Sequence, residues 1–243
     1  MAQSQAEQVR EFFQHQHATD RYAELKRKTS ELDAAAADRL HAVVCGNVLL
    51  IGGVWDFFEW TAAVTHLTVL DLSMEMLNSY CPEGARRVEG DLYDMEFPAG
   101  SFDTVVFPLI LHHTPRGNWR SCKARIDKAI ERAHRWLRPG GQVIIVEYCP
   151  NPAWSPVQRL VLPITRRFLA AFGQPLVVMH TRRFYERRLA RYFVNVHGER
   201  IRPPDFDYWT WYPVFMSIGW LRMPLALYPK LHIFRAAVGA PRT

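Results

Sequence analysis

The chain has 243 residues, 49% of them apolar and 22% charged, a balance that excludes a disordered or fibrous chain. Its net charge of +6 is uneven: residues 1–150 hold 16 Lys/Arg against 20 Asp/Glu, and residues 151–243 hold 14 against 4. A net acidic first part with no recognised nucleic-acid module argues against a nucleic-acid partner.

Residues 5–18 and 20–42 read as helices, the second rich in alanine and stopped by Gly46-Asn47. Val48-Leu49-Leu50-Ile51 is a wholly apolar run ending in Gly52-Gly53, the pattern of a strand buried on both faces of a parallel sheet. A helix is expected over roughly Trp55 to His66, then a strand, Leu67 to Leu70, ending at Asp71. Ser73 is placed to N-cap the next helix.

A short strand near Arg87–Glu89 leads to Gly90-Asp91, and a longer one spans Thr104 to Ile110. A helix from about Ser121 to Leu137 stops at Pro139-Gly140-Gly141, before a strand from Gln142 to Tyr148. Alternating strands and helices predict a doubly wound, mostly parallel α/β sheet whose ligand sits beyond the strands' carboxyl ends. Gly52, Asp71, Asp91 and Pro108–His113 all fall there.

Beyond Pro150 the texture changes. A helical segment over 151–180 and a basic helix over 181–192 are expected, with strands near Phe193–His197 and Leu231–Val238 forming an antiparallel pair. Between those strands lies an aromatic, proline-punctuated stretch. The longest uncharged aromatic-apolar run, Tyr208 to Leu221, is too short for a bilayer span of about 20 residues. Cys45, Cys81, Cys122 and Cys149 are scattered without a C-x-x-C. His15 and His17 cannot face one ion from a helix. No metal site or disulfide framework is therefore expected, and with no secretory signal in residues 1–40 a cytoplasmic setting follows.

Three segments in order carry a family resemblance: Val69-Leu70-Asp71-Leu72-Ser73-Met74-Glu75-Met76-Leu77, Glu89-Gly90-Asp91-Leu92 with Phe97-Pro98 and Ser101-Phe102-Asp103, and Trp136-Leu137-Arg138-Pro139-Gly140-Gly141. With them, Asn47 to Tyr148 resembles class I S-adenosylmethionine-dependent methyltransferases, especially those similar to ubiquinone and menaquinone biosynthesis enzymes. In one domain over 1–243, N-terminal helices run to residue 46, and the dense aromatics, prolines and arginines of 151–230 read as an acceptor-binding helical and aromatic lid; for the part between, the resemblance implies a seven-stranded Rossmann-like sheet with a cofactor-binding core over 47–150. It implies S-adenosylmethionine as cofactor, with Gly52, Gly53, Asp71, Leu72, Met76, Asp91, Leu92 and Pro108 around it and Tyr22 covering it. Asp71 suits the ribose hydroxyls and Asp91 the adenine amino group; the plain alternative is that each caps a loop.

The first glycine motif departs from the family. Leu50 stands where the family has an acid, and Val54 and Asp56 replace two glycines. The same loop lacks G-x-G-x-x-G, which disfavours a dinucleotide.

Methyl transfer to a hydroxyl or carbon acid needs a base. His112 and His113 at the end of the fourth strand, and Tyr148 at the end of the fifth, are the candidates, against a structural role for each. The aromatics after residue 200 favour a small hydrophobic acceptor, aromatic or isoprenoid-like. The arginine pairs 166–167, 182–183 and 187–188 suit an acidic group on it, a carrier protein or an anionic membrane surface. The alternative reading is a methyltransferase-fold protein that binds a ligand or partner, or steers a cyclisation, without transferring methyl groups. The oligomeric state is not legible.

Overall fold

The computed structural model describes residues 5–18, 21–52, 61–114, 117–172, 174–215 and 218–239, the side chains of 5, 16–18, 21–26, 215 and 218–219 excepted. Helices α1 (Gln5–Ala18) and α2 (Arg21–His41) precede β1 (Gly46–Ile51). Then come β2 (Val64–Asp71), α3 (Met74–Tyr80), β3 (Arg86–Glu89), β4 (Phe102–Pro108), a 3-10 turn (Leu111–His113), α4 (Trp119–Trp136) and β5 (Leu137–Cys149). The remainder is α5 (Trp154–Ala171), α6 (Arg182–Leu189), β6 (Val194–Arg200), β7 (Trp211–Phe215), β8 (Ile218–Pro224) and β9 (Lys230–Ala237).

Seven strands form one sheet in the order β3-β2-β1-β4-β5-β9-β6. The first five run parallel, and β9 is antiparallel to both of its neighbours. This is the doubly wound α/β sheet expected, with the antiparallel terminal pair in place. Its strand order reverses at β1, so the carboxyl ends of β1 and β4 frame the switch point where such sheets take ligands.

The alternation of β1 shows why a run with no polar residue is needed. Leu49 and Ile51 bury against the α4 side, with Ala129, Ile130, Ala133 and Trp136, while Val48 and Leu50 bury against Leu32, Ala36 and Leu40 of α2. Each buried Leu or Ile contributes roughly 1.5–3 kcal/mol of transfer free energy.

Several boundaries differ from the sequence reading. Strand β2 begins at Val64, so residues 64–66, read as the end of a helix, are strand; Thr65 and His66 are exposed between buried Val64 and Leu67, so the start of the strand is only partly covered. Residues 53–60 lie outside those described. Helix α4 starts two residues early, because Asn118 accepts the amides of Arg120 and Ser121 and the Ser121 hydroxyl accepts the Asn118 amide. Strand β4 stops at Pro108, since Leu109 takes φ +56°. The aromatic, proline-punctuated stretch contains the hairpin β7–β8.

Candidate functional site

A cleft opens at the carboxyl ends of β1, β2, β3 and β4. Its floor is Ile51, Gly52, Leu70, Asp71, Gly90 and Asp91; Leu72, Ser73, Met76, Leu92 and Tyr93 form one wall; Leu109, Ile110, His113 and Thr114 form the other. Ala6, Val9, Arg10 and Phe13 of α1 cover it. Gln14 of α1 donates to the Ser73 hydroxyl at 3.1 Å, tying the cover to the N-terminus of α3.

Gly52 has φ +64°, and a Cβ there would lie 2.8 Å from Ile110 Cγ2, so only glycine lets β1 turn this tightly beside the β4 loop. Leu109, the first residue past β4, also has positive φ, a costly conformation for a side-chain-bearing residue, and it lines the same cleft.

Asp71 ends β2. Its Oδ1 accepts the Ser73 amide at 2.9 Å, and burial, only partly offset by the Ser73 and Leu72 amides, raises its pKa to about 6. Glu89, its register partner on β3, pushes the same way. Among the described residues no cation lies within ion-pair distance of Asp71. A half-buried carboxylate of this kind fits a ligand that offers it two hydroxyl donors.

Asp91 follows β3, and its Oδ1 accepts the Tyr93 amide at 2.9 Å, so the loop-capping role is real. It lines the cleft as well. Arg125 stacks on the Tyr93 ring at 3.5 Å and donates to the Thr114 carbonyl, closing that corner.

Behind the opposite wall is a polar network. Glu147 of β5 is fully buried; its Oε1 accepts the amides of Leu111 and His112, and its Oε2 pairs with His112 Nδ1 at 2.7 Å. The His112 ring is 4.1 Å from the His113 ring. His113 faces the cleft with its Nδ1 buried and unpartnered, and Phe13 packs edge-on against it at 5.1 Å. Burial, then the neighbouring His112, holds His113 well below the usual histidine range, so it is a neutral imidazole at physiological pH.

Of the residues named from sequence, Gly52, Asp71, Leu72, Met76, Asp91, Leu92 and His113 line this one cleft. His112 stands behind it with Glu147. Pro108 is buried at the end of β4, beside the lining residue Leu109. Tyr148 points to the other face of β5, packed with Tyr228 at 6.5 Å. Gly53 and the Tyr22 side chain lie outside the described residues, as do Val54 and Asp56. Leu50 is buried among the side chains against α2 and offers the cleft no polar group. The described lining contains no residue of 151–230; its cover comes from α1. Sequence reasoning missed Glu147, Arg10 and Phe13. An acid inside the otherwise apolar run Val143–Tyr148 is the signal for the first.

Residues 42–145 match the family model described as a methyltransferase domain. The ubiquinone/menaquinone biosynthesis C-methyltransferase of Rhizobium johnstonii is 28% identical over 98 residues, covering 37% of this chain and 34% of that protein. Its counterpart in Rhizobium meliloti is 27% identical over 124 residues, covering 47% and 41%. The match thus spans well under half of these relatives. Among solved structures, a DhpI complex with SAH superposes with TM-score 0.62 at 17% identity, covering 100% of both chains. The 1,6-didemethyltoxoflavin-N1-methyltransferase of Burkholderia thailandensis, solved with 1,6-didemethyltoxoflavin and S-adenosylhomocysteine, gives 0.58 at 16%, covering 96% and 88%. The methyltransferase solved with the Trm112 activator of Haloferax volcanii gives 0.61 at 15%, covering 91% and 96%. At these identities the superpositions speak to the fold.

Proposed function

We infer the activity from family membership: over residues 42–145 this chain belongs to the class I S-adenosylmethionine-dependent methyltransferases, and we propose that it transfers a methyl group to a small hydrophobic acceptor, aromatic or isoprenoid-like. The observation that carries the reading is Asp71, a half-buried carboxylate with no cation beside it among the described residues, sharing one cleft with Asp91 and Gly52.

S-adenosylmethionine supplies a methyl group on a sulfonium for in-line displacement. Asp71 would accept its ribose hydroxyls, and Asp91, with the Leu92 amide, would meet its adenine. Gly52 keeps the backbone of the turn clear beside Ile110. Leu50 leaves the cofactor's amino group to another partner, and Arg10 is the cation in the cleft cover that suits its carboxylate. Phe13 and Val9 exclude water from above, which strengthens every charge interaction below them. His113 presents a neutral imidazole that can accept a proton from an acceptor hydroxyl or acidic C–H. Glu147 holds His112 with Nδ1–H directed to the carboxylate, and His112 in turn holds His113 in place.

Calorimetric titration with S-adenosylmethionine and S-adenosylhomocysteine tests the reading: wild type should bind both, and Asp71→Asn should bind each at least tenfold more weakly. Equal affinity in wild type and variant would remove the nucleoside site. One observation favours a second reading, a protein that binds the cofactor without transferring methyl: Leu50, in the family's acid position, is packed in the core. Tight binding with no S-adenosylhomocysteine formed from any acceptor of the proposed class would select it.

A further inference from the structure

Helix α5 leaves a face uncovered. It is anchored along one edge, where Leu162 and Leu169 bury with Cys122 of α4 and with Leu176 and Val178. Trp154, Val157, Leu160, Ile164 and Phe168 remain exposed, as does Phe172 at its end; Leu160 is 80% and Ile164 71% accessible. Their spacing of three and four residues puts them on one side of the helix. An apolar stripe of this length on a folded surface marks a contact.

The charge around the stripe is of one sign. From Trp154 to Ala171 there are three arginines, 159, 166 and 167, and no acid. Arg167, seven residues after Leu160, lies two turns further along the same side. Further round the same flank, Arg159 lines a pocket with Arg120 and Lys123 of α4 and the indole of Trp119. Among the described residues no carboxylate lies within ion-pair distance of these cations. Burial, then Arg188, Arg159 and Arg187, lowers the Lys123 pKa, with Asp127 opposing; that carboxylate is itself paired with Arg188.

We propose that α5 is an interfacial helix that docks this protein on an anionic phospholipid bilayer, its apolar stripe among the acyl chains and Arg159, Arg166, Arg167, Lys123 and Arg120 on lipid phosphates. No described helix is long and apolar enough to cross a membrane, so the contact is with one surface. A second copy of the chain is a poor occupant, because its stripe brings the same positive flank. The proposal is independent of the transfer reaction, since none of these residues lines the cofactor cleft.

The test is flotation of the full chain with phosphatidylcholine vesicles, with and without phosphatidylglycerol, at low and high salt. Wild type should float with the anionic vesicles, less so at high salt. Leu160→Asp with Ile164→Asp should reduce binding at least tenfold; both sites are exposed, so circular dichroism and S-adenosylhomocysteine affinity should match wild type. Arg159→Gln, Arg166→Gln and Arg167→Gln should each cost about fivefold, leaving the stripe intact. Absence of flotation, equal binding to phosphatidylcholine alone, or full binding by the double Asp variant would each overturn the proposal. So would a lipid-free wild-type dimer that the double Asp variant breaks, which would assign the stripe to a second copy.

Discussion

His112 Nδ1 lies 2.7 Å from Glu147 Oε2, and Glu147 Oε1 accepts the backbone amides of Leu111 and His112 at 2.7 and 3.3 Å. One buried carboxylate thus ties the end of β5 to the turn after β4, where the chain passes through the left-handed residue Leu109. The same contact sets the His112 tautomer, with the proton on Nδ1.

Glu147→Ala should therefore be severe. It leaves two buried amides and an imidazole unpartnered, a loss of about 3–5 kcal/mol. Thermal denaturation should show a melting point lower by roughly 10 °C. Glu147→Gln keeps the shape but not the charge: its oxygen can accept both amides, but its NH2 can face His112 Nδ1 only if the imidazole proton moves to Nε2. It should melt between Ala and wild type and lower kcat more than it raises KM. Wild-type turnover in the Gln variant would leave the network a purely structural brace.

Asp71 couples stability and binding in opposite directions. Its folded-state pKa of about 6 exceeds the ordinary 3.8. Below pH 4 both states hold the proton and nothing is lost. Between pH 4 and 6 the unfolded chain ionises first, so the free protein loses up to about 3 kcal/mol as pH rises. Asp71→Asn should accordingly raise the melting point at pH 7.5 and change it little at pH 4, while weakening S-adenosylhomocysteine. In wild type that affinity should fall about tenfold per pH unit below 6, where the carboxylate must first lose its proton. A variant less stable than wild type at pH 7.5 would contradict this account.

Gly52→Ala introduces a Cβ 2.8 Å from Ile110 Cγ2 in a left-handed residue. The conformation costs about 1–2 kcal/mol and the overlap about 1–3 more. Chemical denaturation of Gly52→Ala, Ile110→Ala and the double variant separates the two. Removing Ile110 should relieve the overlap and leave the conformational cost. Additive losses would mean that the turn rearranges.

The central strands were legible because burial on both faces demands unbroken apolar runs, as in Val48–Ile51. Asp71, Asp91 and Gly52 were legible because strand ends with acids and glycines punctuate those runs. Glu147 was obscured for the opposite reason: its partners are the backbone of Leu111 and His112, 36 and 35 residues away. The start of α4 was misplaced because the Asn118 capping box is built from polar residues that also read as loop. The resemblance pointed to N-terminal cover through Tyr22, but the part taken by α1 could not be read. Its register over the cleft depends on long-range packing such as Gln14 on Ser73, 59 residues apart.

The last prediction concerns that cover. Phe13 sits edge-on to His113, and the depressed pKa of His113 arises first from burial and then from His112. In the folded protein His113 stays neutral well below pH 6.5, whereas the unfolded chain protonates it there. This group's contribution to stability is complete above pH 6.5 and is lost as pH falls, because the unfolded state takes a proton that the folded state refuses. Phe13→Ala opens the ring to water at the cost of an aromatic contact of about 0.5–1.5 kcal/mol. The His113 pKa should then rise toward 6.5 and the acid-side loss of stability should flatten, while Phe13→Leu keeps both near wild type. Proton NMR titration of the imidazole, with His113→Asn to assign its signal, reads the pKa directly. A wild-type His113 that titrates at 6.5, or one unmoved by Phe13→Ala, would show that α1 does not cover the cleft in solution, and with it the exclusion of water from the reacting groups would have to come from elsewhere in the chain.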